Sequence, residues 1–247
     1  MNAKVVLNPR ALQAVDVVGR TVVVFDVLRA TTTMTVALAC GVAEIRVFEN
    51  IEAARGAAAS YSGTKLLCGE VGSLPPAGFD LGNSPRDWNA GMADGRTVFL
   101  ATTNGTRAMA AASAIGRPGR LLVAALVNAR AAAAVVAAQG ADVTLLCSGT
   151  AGGDSLDDVY GAGAVLSALA EIGPLTLEGA SAQMARNMFA AVRNDLPVVM
   201  RQGASGRNLI GSGLEGDIDA CARLDSLKNV GFIEVDGGGL ACRAVRF

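Results

Sequence analysis

The sequence predicts an α/β fold with a mainly parallel, or mixed, sheet. Hydrophobic residues make up 51% of the 247-residue chain and aromatics only 4%, so the apolar content is mostly Ala, Val and Leu. Val/Leu strands covered by closely packed Ala-rich helices suit that composition. Short Val/Leu/Ile runs also alternate with Ala-rich helical stretches from residue 21 to residue 172, a pattern that implies βαβ units.

The first predicted strand, 21–26, is the run Val22-Val23-Val24-Phe25 closed by Asp26. A helix at 33–39, a strand at 44–48, a helix at 51–61 and a strand at 65–69 follow. The stretch 69–95 lacks periodicity and holds Pro75-Pro76, Gly78, Gly82 and Ser84-Pro85, so it reads as a large ordered loop or lid. Alternation resumes with strand 97–101, helix 106–115, strand 121–125, helix 129–138, strand 143–147 and helix 155–172. Beyond residue 178 the pattern turns mostly helical. Two short strands, 231–236 and 240–245, joined through Gly237-Gly238-Gly239, read as a terminal hairpin. No linker or repeat breaks the chain, so 1–247 is read as a single domain. Any subdivision would fall near 175–180.

Composition removes several function classes. The formal charge is −1, charged residues are 17%, and no Lys/Arg run exists, so nucleic-acid binding has no electrostatic footprint. Cys40, Cys68, Cys147, Cys221 and Cys242 are widely spaced, without a C-x-x-C pair, and read as reduced thiols. The N-terminal segment has no signal-peptide core, and no stretch reaches the roughly 18 apolar residues of a membrane span. A cytoplasmic protein without membrane contact is expected. Small α/β enzymes are often homodimers, so a homodimer is the assembly to test. There is no histidine at all. Ser-His-Asp hydrolysis, histidine phosphatases and His-ligated zinc are thereby excluded. Catalysis must run on carboxylates, Arg/Lys, hydroxyls, amides, thiols or a hard metal.

In a parallel sheet, ligands bind beyond the carboxyl ends of the strands. There the sequence places Asp26-Val27-Leu28-Arg29-Ala30-Thr31-Thr32-Thr33, then Gly69-Glu70-Val71-Gly72, then Thr102-Thr103-Asn104-Gly105-Thr106, then Val127-Asn128. After strand 143–147 comes Ser148-Gly149-Thr150-Ala151-Gly152-Gly153-Asp154-Ser155, followed by Asp157-Asp158. Thr31, Asn104, Asn128 and Ser155 taken singly are ordinary helix N-cap candidates. Asp26 resists that reading. A carboxylate placed directly after an apolar strand is desolvated and needs a cation, which Arg29 or Mg²⁺ could supply.

These groups suit phosphoryl transfer. Helix N-termini and glycine turns present N–H groups to an anion, and Arg29 offers a bidentate fork to phosphate oxygens. Asp26, Glu70 and Asp157 or Asp158 are oxygen ligands of the kind Mg²⁺ takes. Three rivals fail. Cys40 and Arg46 have the C-x₅-R spacing of cysteine phosphatases but lie at the wrong end of a strand and lack a glycine-rich cradle. Asp26-x-Leu28 lacks the second Asp of the D-x-D phosphatases, and no P-loop motif occurs.

Taken in order, Val24 to Thr33, Gly82-Asn83-Ser84-Pro85, Thr102-Thr103-Asn104-Gly105-Thr106, Cys147-Ser148-Gly149, Asp157-Asp158 with Ala162-Gly163, and Ser205-Gly206-Arg207-Asn208-Leu209 resemble the 2-phosphosulfolactate phosphatase (ComB) family. The matches run through almost the whole chain, and their combination is far more specific than any one. The resemblance implies a Mg²⁺-dependent phosphatase releasing phosphate from 2-phospho-3-sulfolactate, a step towards coenzyme M. It also implies a compact three-layer α/β/α fold. The acidic pair is Asp-Asp, where Glu-Asp is also expected, which leaves open which of Asp157 and Asp158 points inward.

The expected site therefore has Asp26, Glu70 and Asp157 or Asp158 on Mg²⁺, with Asp26, Arg29, Glu70 and Asp158 catalytic. Thr31, Thr32, Asn83, Ser84, Thr102, Thr103, Asn104, Gly105, Thr106, Ser148, Gly149 and Arg207 are the expected phosphate and substrate contacts. The nucleophile is either water or Asp26 itself. A related phosphorylated hydroxy acid as substrate, or a non-catalytic module sensing a phosphorylated metabolite, are the competing readings.

Overall fold

The computed structural model describes residues 1–236 and 239–245. Its strands are β1 (Asn2–Val6), β2 (Thr21–Phe25), β3 (Glu44–Phe48), β4 (Lys65–Gly69), β5 (Thr97–Ala101), β6 (Arg120–Ala124), β7 (Val143–Cys147), β8 (Thr176–Glu178), β9 (Gly231–Asp236) and β10 (Gly239–Ala244). The helices are α1 (Ala30–Ala39), α2 (Ile51–Ala59), α3 (Ala90–Ala93), α4 (Gly105–Ile115), α5 (Ala129–Gln139), α6 (Leu156–Ile172), α7 (Gly179–Val192), α8 (Leu196–Gln202), α9 (Ala204–Gly211) and α10 (Glu215–Cys221). Every strand from β2 to β7 lies within a residue of its expected bounds.

Two strands escape the sequence pattern. In β1 the polar Asn2 and Lys4 alternate with Ala3 and Val5, and β8 has only three residues, none of them buried. Helix α1 begins earlier than expected, at Ala30, although Thr31-Thr32-Thr33 is a β-branched run that disfavours helix. Their hydroxyls find backbone carbonyl acceptors, which makes burial of all three tolerable.

All the strands form one ten-stranded sheet in the order β4-β5-β3-β10-β9-β6-β2-β7-β1-β8. The expected terminal hairpin is present, with Asp236 opposite Gly239, and it inserts into the middle of the sheet rather than onto an edge. Its turn at Gly237-Gly238 lies outside the described residues. Because β9 runs antiparallel to β6, β10 to β9 and β3 to β10, the sheet consists of two internally parallel blocks of opposite hydrogen-bonding sense. The mixed sheet thus corrects the simple picture of all strand ends sharing one edge. From β2 to β4 the path passes β6, β9, β10, β3 and β5, six steps. At the usual twist of roughly 20–25° per step, such a path turns by about 120–150°. That turn largely offsets the reversal, and the ends of β2 and β4 meet in one site, as described below.

Helices cover both faces. On β2, Val23 and Phe25 pack with α5, α6 and α7 through Ala132, Val136, Val165 and Ala185. Val22 and Val24 point to the other face, against Met34 of α1 and Met109 of α4. Residues Ile45, Val98 and Leu100 of the second block join that same core, so α1 and α4 are shared by the two blocks. The small side chains let these layers approach closely. Segment 69–95 is an ordered loop with its own short helical turn, Pro85–Asp87, and α3. Among the described residues no helix is long and apolar enough to cross a membrane.

Candidate active site

The turn after β2 is anchored first by its own hydroxyls. Asp26 N–H donates to Thr31 Oγ1 at 3.0 Å, Thr31 Oγ1 donates to Asp26 O at 2.9 Å, and Thr32 Oγ1 donates to Val27 O at 2.8 Å. The Leu28–Arg29 peptide is cis. Thr31 and Thr32 are fully buried and their hydroxyls belong to this turn.

The acidic pair sits behind the same turn. Asp158 accepts from the N–H groups of Val27 (2.8 Å), Ser148 (3.1 Å) and Gly149 (3.0 Å). Asp157 accepts from Leu28 N–H at 3.0 Å and Ser155 Oγ at 2.6 Å. Burial pushes the Asp158 carboxyl well above its ordinary range, with Asp157 and Asp26 adding repulsion; burial raises Asp157 as well. The pair stitches α6 to the ends of β2 and β7. Neither residue is in the wall of the cavity described next.

That cavity, ≈ 200 Å³, is bounded by Asp26, Arg29, Glu70, Asn83, Asn104 and Asn208 among others. Asp26 is 7% exposed; its Oδ1 accepts Ala30 N–H at 3.1 Å. Burial raises its pKa to about 7, and the charges of Asp157 and Glu70 push the same way. Gly105 is pressed against it, since a Cβ there would lie 2.8 Å from Asp26 Oδ2. Glu70 is held by Thr103 N–H at 2.9 Å and by Ser73 N–H at 2.9 Å. Thr103 Oγ1 donates to the same carboxylate.

Arg29 does not neutralise Asp26. Its Nη1 donates to Asp217 Oδ2 at 2.7 Å and its Nη2 to Ser73 O at 2.7 Å. Asp217 also accepts from Ser84 Oγ at 2.7 Å, so Ser84 is a buttress rather than part of the wall. Asn83 is in the wall, 3% exposed, and its Oδ1 has no hydrogen-bond partner. A buried acceptor left unpaired marks a place where a donor or cation belongs. Asn104 precedes α4 without capping it, which leaves its side chain to the cavity. Thr102 and Thr106 bond to each other across the α4 start, and Gly149 is engaged through its N–H with Asp158.

Arg207 bonds to Gln202 O and lies outside the wall. Helical spacing accounts for this: Ser205, Asn208 and Leu209 share one face of α9, and that face lines the cavity. The spacing i, i+3, i+4 was a readable signal for Asn208. Asp217 carries no such local mark. Among the described residues, no three carboxylates or thiols converge on one point.

A sequence profile of the 2-phosphosulpholactate phosphatase family matches residues 6–235. The chain belongs to this family. Relatives named probable 2-phosphosulfolactate phosphatase include one from Synechocystis sp., 38% identical over 82% of this chain and 84% of the relative. The Deinococcus radiodurans relative is 36% identical over 91% of each chain. That of Carboxydothermus hydrogenoformans is 36% identical over 93% of this chain and 92% of its own. Membership of the 2-phosphosulfolactate phosphatase family places the chain among phosphoric monoester hydrolases.

Proposed function

We propose that this protein is a Mg²⁺-dependent phosphatase that converts 2-phospho-3-sulfolactate to 3-sulfolactate and phosphate, a step towards coenzyme M, in the cytoplasm. One observation carries the metal part of this reading. Asp26 and Glu70 face a common cavity whose guanidinium, that of Arg29, is already paired with Asp217. Mutually repelling carboxylates whose cavity guanidinium is engaged by another carboxylate call for a further cation. Mg²⁺ takes one or two carboxylates and keeps several waters, so Asp26 and Glu70 suffice, with Asn83 Oδ1 as a further oxygen. Asp157 and Asp158 brace this set from behind. When bound, the ion neutralises phosphate charge and polarises the reacting oxygen.

The chain's own groups then have distinct tasks. Arg29, fixed by Asp217 and Ser73, places an oriented positive charge at the cavity wall. The side chains of Asn104 and Asn208 offer amide donors to phosphate oxygens. Glu70 is oriented by Thr103 and Ser73. Phosphate release from 2-phospho-3-sulfolactate, with Mg²⁺ and after chelation, tests the reading directly. Tight phosphoester binding without metal-dependent release would identify a sensor instead. Rapid-quench trapping of a phosphoenzyme separates attack by Asp26 from attack by water.

A further inference from the structure

Thr103 and Asn104 belong both to the carboxylate-lined cavity and to a second cleft of ≈ 350 Å³. The two spaces have opposite character. The described wall of the second has no carboxylate and two arginines, Arg10 from the Pro9–Ala11 turn and Arg107 from the first turn of α4.

Exposed arginines are ordinarily solvated, and this chain pairs others with carboxylates. Arg130 meets Glu171 at 2.9 Å, and Arg201 meets Glu215 at 2.8 Å and Asp219 at 2.9 Å. Among the described residues Arg10 and Arg107 have no carboxylate partner. Arg10 is instead positioned by backbone, its Nη1 donating to Gly152 O at 3.3 Å. Asn8, whose Oδ1 accepts Arg10 N–H at 3.1 Å, donates to Gly152 O and Gly153 O, both at 3.1 Å. Gly152 makes room for this, with φ +80°; a Cβ there would lie 2.5 Å from Arg10 Nη2.

An independent observation points to a ligand. Ser148 lines the same cleft, is 7% exposed, and its buried hydroxyl has no partner. Its N–H is shared between Phe25 O at 2.8 Å and Asp158 at 3.1 Å, so only the side chain is left over. An unpaired buried hydroxyl beside two guanidiniums without a carboxylate partner matches the needs of an oxyanion. A third cleft nearby shares Arg107 but includes Glu49 and Glu70, which would repel one.

We propose that this cleft is the subsite for a second acidic group of the substrate. The ligand class is a small phosphomonoester carrying a sulfonate or carboxylate. That group accepts from Arg10, Arg107 and Ser148 Oγ, while the phosphoryl group lies between Asp26 and Glu70. Which end is cleaved rests on the phosphatase reading above; the anion subsite itself does not.

Calorimetric titration of the full chain with 3-sulfolactate, which has no phosphate ester, tests the subsite. Wild type should bind it, and the Arg10→Gln, Arg107→Gln double variant should lose roughly tenfold to a hundredfold in affinity. Ser148→Ala should weaken binding in the same direction by less. Arg130→Gln, remote from the cleft, serves as the control, and melting curves verify folding. Malate, with carboxylate in place of sulfonate, separates a general acid site from a sulfonate-selective one; either uphold the proposal. No binding by wild type, or equal binding by wild type and the double variant, overturns it. Absence of turnover with intact sulfolactate binding would overturn the reaction and leave the subsite standing.

Discussion

Arg29 and Asp217, 188 positions apart in sequence, meet at 2.7 Å with both side chains almost inaccessible to water. The pair fastens the turn after β2 to α10, and through Ser84 it also holds the long loop. It decides the electrostatics of the site, because the guanidinium it engages is not available to Asp26.

Asp217→Ala leaves Arg29 buried and unpaired. A loss of about 3–5 kcal/mol is expected for breaking a pair of this kind. In a chain of this size that lowers the melting midpoint by roughly 6–20 °C, measurable by calorimetry or circular dichroism. An unchanged midpoint would show the pair to be dispensable.

Asp26→Asn and Glu70→Gln should separate activity from folding. Asparagine keeps an acceptor for Ala30 N–H and removes a charge that burial already disfavours, so the melting midpoint should hold. Phosphate release should fall by about a thousandfold, as expected if several kcal/mol of metal-assisted stabilisation disappear. Wild-type release by Asp26→Asn would remove Asp26 from the mechanism.

Gly105→Ala inverts the usual helix preference. In a helix, alanine normally stabilises by about 1 kcal/mol relative to glycine. Here the added Cβ would lie 2.8 Å from Asp26 Oδ2 and 2.9 Å from Ala30 Cβ, so Asp26 must shift. Activity should drop by about tenfold or more, with no gain in stability, since displacements near 1 Å are costly in catalysis. Assay and melting curve on one preparation check both halves.

Acid sensitivity should trace in part to Asp142. Its carboxylate accepts Asn2 N–H at 2.7 Å and Asn2 Nδ2 at 3.0 Å, and these bonds hold its pKa below the ordinary range. A lowered folded-state pKa contributes stability above the unfolded value of about 3.9, and that stability is lost as pH falls through the folded value. The difference in melting midpoint between wild type and Asp142→Asn should therefore be fullest above about pH 4 and shrink below it. A difference that grows on acidification would reverse the assignment.

The strands and the strand-end residues were legible because their signals are local. Runs such as Thr21–Phe25 and Val143–Cys147 are apolar but for one threonine each and buried throughout, and Asp26, Glu70 and Asn104 stand where such runs stop. What is set by tertiary pairing was not legible. Nothing in the spacing of Asp217 announces Arg29, and Asn208 differs from its neighbour Arg207 only by the face of α9 it occupies. Asp158 is a candidate ligand by residue type, and its place behind the cavity is set by folding. Its three backbone N–H partners make it a brace, and they come from two separate turns brought together by folding.

The central hairpin also imposes an order of events. Until β9 and β10 are in place, β6 and β3 each present an unpaired edge, and those edges are the seams where the two halves must join. During synthesis both halves leave the ribosome before residues 231–244 do. A nascent chain therefore carries two open strand edges while most of its sequence is already exposed, which is when strand edges recruit the wrong partner. Slow translation or stalling between the end of β6 and the start of β9 should thus be more hazardous to this protein than an equal delay before β3 has been made.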